Sequence, residues 1–248
     1  MRAAAADRPG QAPGVAARLE RLDWNEVERL LWERGWARTG RPVLTPGECA
    51  DLIALYSDET RFRSRVDMER FRFGVGEYKY FAAPLPPLVR DLREAAYPRL
   101  APIANAWAKA LGARRRFPKT LRGLQAVCRK AGQTKPTPLL LRYESGGYNC
   151  LHQDLYGEIA FPLQLTCVLS RRGADYTGGE FLLVEQRPRQ QSRGDSITLE
   201  QGEIIIFTVR ERPVRGARGF YRAAMRHGVS ALLSGTRYSL GMIFHDAR

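Results

Sequence analysis

After Pro138 the chain becomes a succession of short apolar runs separated by turn residues: Leu139 to Tyr143, Phe161 to Leu169, Glu180 to Val184, Ile197 to Leu199, Glu203 to Val209, Ala223 to Val229 and Arg237 to Phe244. That spacing reads as the strands of a β-sandwich or barrel. The segment Gly202-Glu203-Ile204-Ile205-Ile206-Phe207 is apolar on both faces, so at least one sheet must be covered, and the segments before Pro138 are the available cover.

Those segments read as helices. From Arg18 to Trp36 the residues Leu19, Leu22, Trp24, Val27, Leu30 and Leu31 recur at mostly helical spacing. A second helix follows Thr45-Pro46-Gly47-Glu48, where Thr45 can cap and Pro46 occupies the first turn. A third runs from about Leu88 to Leu111, with Pro98 and Pro102 expected to break or kink it. Between them, Phe71 to Phe81 alternates aromatic and basic residues around Gly74 and Gly76, which suggests an irregular hairpin or lid; no strand-and-turn context makes a phosphate-binding fingerprint of these glycines.

The 248 residues suffice for one well-buried domain and hardly for two independent enzymes. We expect a disordered tail over 1–17 and a single α+β domain over 18–248, with helical support and the lid in 18–137 and the strand-rich core in 138–248. The Ala-, Pro- and Gly-rich start, Met1 to Gly14, has no long apolar core, so neither a signal peptide nor a membrane span is supported. Cys49, Cys128, Cys150 and Cys167 form no C-x-x-C pair, the usage of reduced thiols in a cytoplasmic protein. The balance of 40 Lys+Arg against 26 Asp+Glu, net +14, favours a polyanionic partner, although an arginine-rich composition alone gives the same balance.

The chain has three histidines, so each can be weighed as a ligand. In Leu151-His152-Gln153-Asp154 a spacing of two puts imidazole and carboxylate on one face of an extended segment. His227 follows 75 residues later on an expected strand, where a folded barrel can return it beside that pair. Two imidazoles and a carboxylate occupy one face of an octahedral iron(II) and leave three positions open; the same ligand types also serve hydrolytic zinc. Ten residues after His227 comes Arg237-Tyr238-Ser239. A buried arginine there would grip the far carboxylate of a dicarboxylate bidentately, with Ser239 adding a hydrogen bond, and hydrolytic zinc has no need of such a clamp. His245-Asp246 makes no rival pair: adjacent strand residues face opposite ways, and eight residues of strand put His245 roughly 26 Å from Arg237. His245 reads as structural or as a C-terminal surface residue.

An H-x-D pair, a distant His and R-x-S ten residues later resemble the motif set of the iron(II)- and 2-oxoglutarate-dependent oxygenases, whose fold is a double-stranded β-helix, or jelly roll. Leu141 to Gly147, Leu151 to Asp154 and Leu199 to Glu203 resemble AlkB-type nucleic-acid dealkylases. Gly76 to Phe81, Gly178 to Phe181 and Arg226 to Ser230 are similar to the bacterial AlkB-like branch predicted to modify nucleic acids, so the resemblance spans roughly residues 70 to 247. It implies iron(II) on His152, Asp154 and His227, 2-oxoglutarate on Arg237 with Ser239 and Tyr143, and O2 as the oxidant. It implies oxidative dealkylation or hydroxylation of DNA or RNA bases, a repair-type activity. Two positions depart from the AlkB pattern: Leu141 stands where those enzymes carry asparagine, and Ile243 where they carry a second arginine, so their lesion preference does not transfer.

For the substrate, Tyr78 and Tyr80 with Arg72 and Lys79 could form a lid that stacks a base and meets its phosphates, since enzymes acting on bases must receive them unstacked. A barrel-edge aromatic cluster is the plain alternative. Arg187, Arg189 and Arg193, then Arg210, Arg212, Arg215, Arg218, Tyr221 and Arg222, form two basic segments that track phosphates or simply solvate loops. Cys150 would share a face with His152 and Asp154, near the iron, or pack as a small thiol. Two other functions compete: a protein side-chain hydroxylase of prolyl type, and a non-catalytic nucleic-acid-binding barrel, which the intact triad and clamp disfavour.

Overall fold

The protein is described by a computed structural model over residues 13–248. The first half of the chain contributes α1 (Val15–Glu20), α2 (Trp24–Arg34), β1 (Trp36–Arg38), α3 (Pro46–Ala54), β2 (Phe62–Asp67), β3 (Gly74–Val75), β4 (Glu77–Phe81), α4 (Pro87–Ala110) and α5 (Leu121–Lys130). The second half contributes β5 (Leu139–Glu144), β6 (Tyr148–His152), β7 (Leu163–Val168), β8 (Tyr176–Gly178), β9 (Phe181–Gln186), β10 (Arg193–Ile197), β11 (Ile204–Thr208), β12 (Glu211–Gly216), β13 (Gly219–Val229) and β14 (Leu232–Met242). Among the described residues no helix is long and apolar enough to cross a membrane, and all four cysteines are free.

The strands form two antiparallel sheets. The larger runs β1-β11-β7-β14-β5-β4-β2, with β8 joined to β14; the smaller runs β10-β9-β13-β6-β3, with β12 joined to β13. Strand alternation on β11 explains its two apolar faces. Ile204 and Ile206 pack with Leu92, Tyr97 and Leu100 of α4 in one core, while Ile205 and Phe207 pack with Phe181, Leu183 and Met225 of the opposite sheet in a second. The helices therefore seal the outside of the large sheet, and the space between the sheets remains for a site.

Several local expectations change. The single helix expected over Arg18 to Trp36 is two helices, because Asp23 caps the second by accepting from the Glu26 amide at 3.0 Å. Gly35 then ends α2 in the left-handed conformation, φ 82°, and Trp36 opens β1 instead. The expected tail boundary at residue 17 falls inside α1, and residues 1–12 of that tail lie outside the described residues. Pro98 and Pro102 do not break α4. They lie four residues apart on its exposed side, where the carbonyls they leave unpaired meet water, while Tyr97, Leu100, Ile103 and Trp107 are buried on the other side. The basic stretch from Arg210 to Arg222 is largely the β12–β13 hairpin, with Arg212 buried at 2% exposure and paired to Glu185 at 2.6 Å.

Candidate active site

The ligand candidates converge where β6 and β13 pair. His152 ends β6 and stands directly opposite His227 on β13, and their ring centroids are 4.2 Å apart. Asp154 lies two residues past the strand end and turns back, so that Oδ2 is 3.2 Å from His227 Nε2 and Oδ1 is 3.6 Å from His152 Nε2. One ligand atom from each residue fits within a 4.8 Å cluster, and no other trio of His, Cys, Asp or Glu converges in this way among the described residues.

The surroundings fix these side chains in ligating form. His152 Nδ1 lies 2.8 Å from the Cys150 carbonyl, which can only accept; the proton belongs on Nδ1 and the Nε2 lone pair faces the cluster. Asp154 is held at both oxygens, by the Tyr156 hydroxyl at 2.7 Å and by the Gln164 amide at 2.9 Å. Burial works to raise the Asp154 carboxyl, but its hydrogen bond to His227 and the two nearby imidazoles outweigh it and hold the group well below the usual carboxylate range. Burial, followed by the neighbouring His152, pushes the His227 imidazole down, which keeps it neutral with a lone pair to give. Three neutral or anionic donors, each oriented by a hydrogen bond or by packing, suit a divalent cation.

The residues expected to form the clamp lie across the same cavity. Arg237 on β14 pairs in register with Tyr143 on β5, and Ser239 with Leu141. Arg237 is 1% exposed and forms no ion pair among the described residues; its one hydrogen bond goes to Ser239 Oγ at 3.3 Å, and its Nε has no partner. The Tyr143 hydroxyl is fully buried and accepts from Asn149 at 3.2 Å, which leaves its proton free to donate; burial pushes its pKa up to about 12, so that proton stays on. Tyr143, Arg237 and Ser239 line a cavity of about 370 Å³ together with His152, Asp154 and His227. A buried cation without a counterion is a costly arrangement unless an anion completes it.

The remaining wall is apolar. Tyr80, Leu139 and Ile243 form a small cluster with Tyr78, Leu141 and Tyr156 beside the Asp154 carboxylate. Leu141 and Ile243, the two departures from the AlkB pattern, thus belong to one chamber. Of the expected lid residues, Arg72, Tyr78 and Tyr80 line the cavity, but Lys79 does not. Alternation along β4 turns Lys79 the other way, where its ammonium is buried against the Tyr56 carbonyl at 2.9 Å and Glu59 at 2.6 Å. Tyr80 donates to Tyr156 at 2.9 Å and is 7% exposed, so it is a wall of the chamber. Cys150 is exposed at the cavity lining. His245 is buried at 0%, its Nδ1 accepting from the Phe161 amide, so it is no surface residue.

Sequence reading missed Tyr156, Gln164 and Asn149. Tyr156 carried a usable signal, since it lies two residues beyond Asp154 in the motif. Gln164 and Asn149 reach the site only through sheet pairing.

Comparison with known proteins agrees with this arrangement. The family model Oxygenase-NA, described as "Oxygenase, catalysing oxidative methylation of damaged DNA", matches residues 76–247, more than two-thirds of the chain, and the chain belongs to that family. It is an oxygenase. Two uncharacterized proteins of Mycobacterium tuberculosis, from strains CDC 1551 and H37Rv, are each 52% identical over 245 residues, covering 94% of this chain and 99% of theirs. Among solved structures, a Pseudomonas putida prolyl-4-hydroxylase is similar at TM-score 0.52 and 15% identity, covering 91% of this chain and 99% of that one. An oxidoreductase of the 2OG-Fe(II) oxygenase family from Burkholderia pseudomallei is similar at TM-score 0.53 and 15% identity, covering 92% and 94%. At such identities the likeness concerns the fold, which is the double-stranded β-helix expected from the motifs.

Proposed function

We propose that this protein is an iron(II)- and 2-oxoglutarate-dependent oxygenase of the AlkB-like branch that oxidises nucleic-acid bases. One observation carries the reading: Arg237 is a buried cation lacking a carboxylate partner, in the cavity that also holds the converging His152, Asp154 and His227. A metal alone leaves Arg237 unexplained; a dicarboxylate bound between metal and guanidinium accounts for both.

In this reading His152, Asp154 and His227 hold the metal, while Arg237, Ser239 and the Tyr143 hydroxyl bind the distal carboxylate of 2-oxoglutarate. Iron(II), 2-oxoglutarate and O2, when bound, would supply insertion of oxygen into a C–H bond, with succinate and carbon dioxide as coproducts. The chain's own contribution is orientation and exclusion of water. Tyr156 and Gln164 hold the Asp154 carboxylate in one pose, and Tyr80, Leu139, Leu141 and Ile243 present a dry wall to the substrate carbon. On an N-methylated base, hydroxylation of the methyl yields an unstable hydroxymethyl amine that releases formaldehyde and restores the base. Oxygen insertion of this kind removes a methyl group and cannot add one, so we assign dealkylation or hydroxylation. The family description names damaged DNA, and the net charge of +14 suits a polyanion.

The test is succinate formation by the purified, iron-loaded protein with methylated single- and double-stranded DNA, methylated RNA and proline-rich peptides in parallel. We expect turnover with a methylated nucleic acid, accompanied by formaldehyde, and its loss in His152→Ala and Arg237→Ala. Turnover with peptides alone would overturn the substrate class.

A further inference from the structure

Exposed apolar side chains concentrate at the cavity mouth. Eight large hydrophobic side chains are exposed among the described residues, and three of them, Phe73, Leu151 and Leu155, line the cavity. Two more neighbour lining residues: Phe71 stacks on Phe73, and Tyr148 immediately precedes Asn149 on β6. Scattered exposed hydrophobics need no explanation, but a contiguous group beside a cavity marks an interaction surface.

The Phe71–Phe73 pair is built as a platform. The rings are 52% and 46% exposed, with centroids 5.6 Å apart and planes 21° from parallel. Residues two apart stack here because Arg72 between them takes the left-handed conformation, φ 59°, which few residues other than glycine adopt. Strain of this sort persists only where surrounding structure enforces it, and it clusters at functional sites. The enforcing structure is present. Met68 is fully buried, its carbonyl accepts from the Phe73 amide at 2.9 Å, and the Phe73 carbonyl in turn accepts from the Cys150 amide at 2.8 Å. At Gly74 a Cβ would come within 2.3 Å of the Tyr148 carbonyl, so the loop lies directly on β6. The loop thus holds about half of each ring's surface in water rather than in the core.

Cations flank the rings. The Arg70 guanidinium lies 5.8 Å over the Phe71 ring, Arg72 lines the cavity, and both are exposed with no ion pair among the described residues. Arg210 is also exposed with no ion pair among the described residues, and its backbone carbonyl accepts from Gln153 of the cavity wall at 3.1 Å. Aromatic faces interleaved with arginines match a polyanion that offers flat, unpaired rings.

We propose that Phe71 and Phe73 stack an unpaired base of a single-stranded nucleic acid, with Arg70, Arg72 and Arg210 on its phosphates, so that the strand enters with its bases already unstacked. This rests on the nucleic-acid reading above and names the form of substrate for that site. A duplex buries its base faces in the stack and has none to give the platform. The role first expected of Tyr78 and Tyr80 passes to residues at the mouth.

The experiment is fluorescence anisotropy with the full chain, without added metal, using a short labelled single strand and the duplex of the same sequence across a range of salt. Wild type should prefer the single strand at least about 10-fold. The double variant Phe71→Ala/Phe73→Ala should bind the single strand about 10- to 100-fold more weakly, with its thermal midpoint and salt slope unchanged. Arg70→Ala/Arg72→Ala should instead flatten the salt slope. Equal binding of duplex and single strand, or wild-type affinity in the phenylalanine variant, would overturn the platform and leave the nucleic-acid reading standing. No binding of either nucleic acid by wild type, or a proline-rich peptide whose binding depends on the two phenylalanines, would overturn both.

Discussion

Replacing Arg237 by methionine separates a structural arginine from one that waits for an anion. The side chain is 1% exposed and its Nε has no partner, so in the ligand-free protein it is a buried charge with incomplete compensation. Exchanging such a group for an apolar one of similar length is neutral or stabilising by about 1–4 kcal/mol. Arg237→Met should therefore melt at or above the wild-type temperature when no ligand is present. With cobalt(II) in place of iron, so that no turnover occurs, 2-oxoglutarate at about 100 times its Kd should stabilise wild type by about 2.7 kcal/mol. In a chain of this size that is a rise of about 5–11 °C. Loss of one partner from a buried charge pair costs about 3 kcal/mol or more, an affinity drop of at least about 150-fold. At the same concentration the variant should then shift by about 1 °C or less. Thermal scans with and without 2-oxoglutarate read both halves. A variant that keeps the full shift would refute the clamp, and one that melts well below wild type without ligand would make Arg237 a structural residue.

Two further outcomes follow from the same site. Tyr156→Phe removes only the hydroxyl that holds Asp154 Oδ1 at 2.7 Å, and calorimetric titration with cobalt(II) should show about 10-fold weaker metal binding; unchanged affinity would sink the orienting role. Burial pushes the His245 imidazole from its ordinary 6.5 down to about 4, so its contribution to stability is complete above the unfolded value and drains away as pH falls from there through the folded one. Urea unfolding should show wild type losing about 2 kcal/mol more than His245→Asn between pH 7.5 and pH 5; equal losses would mean that His245 is not buried neutral.

How much of this was legible in the sequence depended on the distance over which each residue acts. The capping box at Thr45 and Glu48 and the strand period of β11 are local, and both formed as read. The prolines of α4 do not break it, because local hydrogen-bond loss is outweighed by packing of the opposite helix face. The alternating aromatic and basic residues from Phe71 to Phe81 showed a special segment without showing its geometry. One left-handed residue, Arg72, moves the exposed rings to Phe71 and Phe73, and strand alternation turns Lys79 inward to Glu59.

The sequence by itself supplied the candidate donor set and the proposed clamp, because H-x-D, a distant histidine and R-x-S are short, fixed spacings carried by or next to strands whose side chains alternate. Only the tertiary structure brought His227 opposite His152, set Tyr143 across from Arg237, and aimed Tyr156 and Gln164 at the two oxygens of Asp154. The physical reason is that strand period is a property of the chain, whereas register, burial and the pairing of buried polar atoms are settled between segments far apart in it.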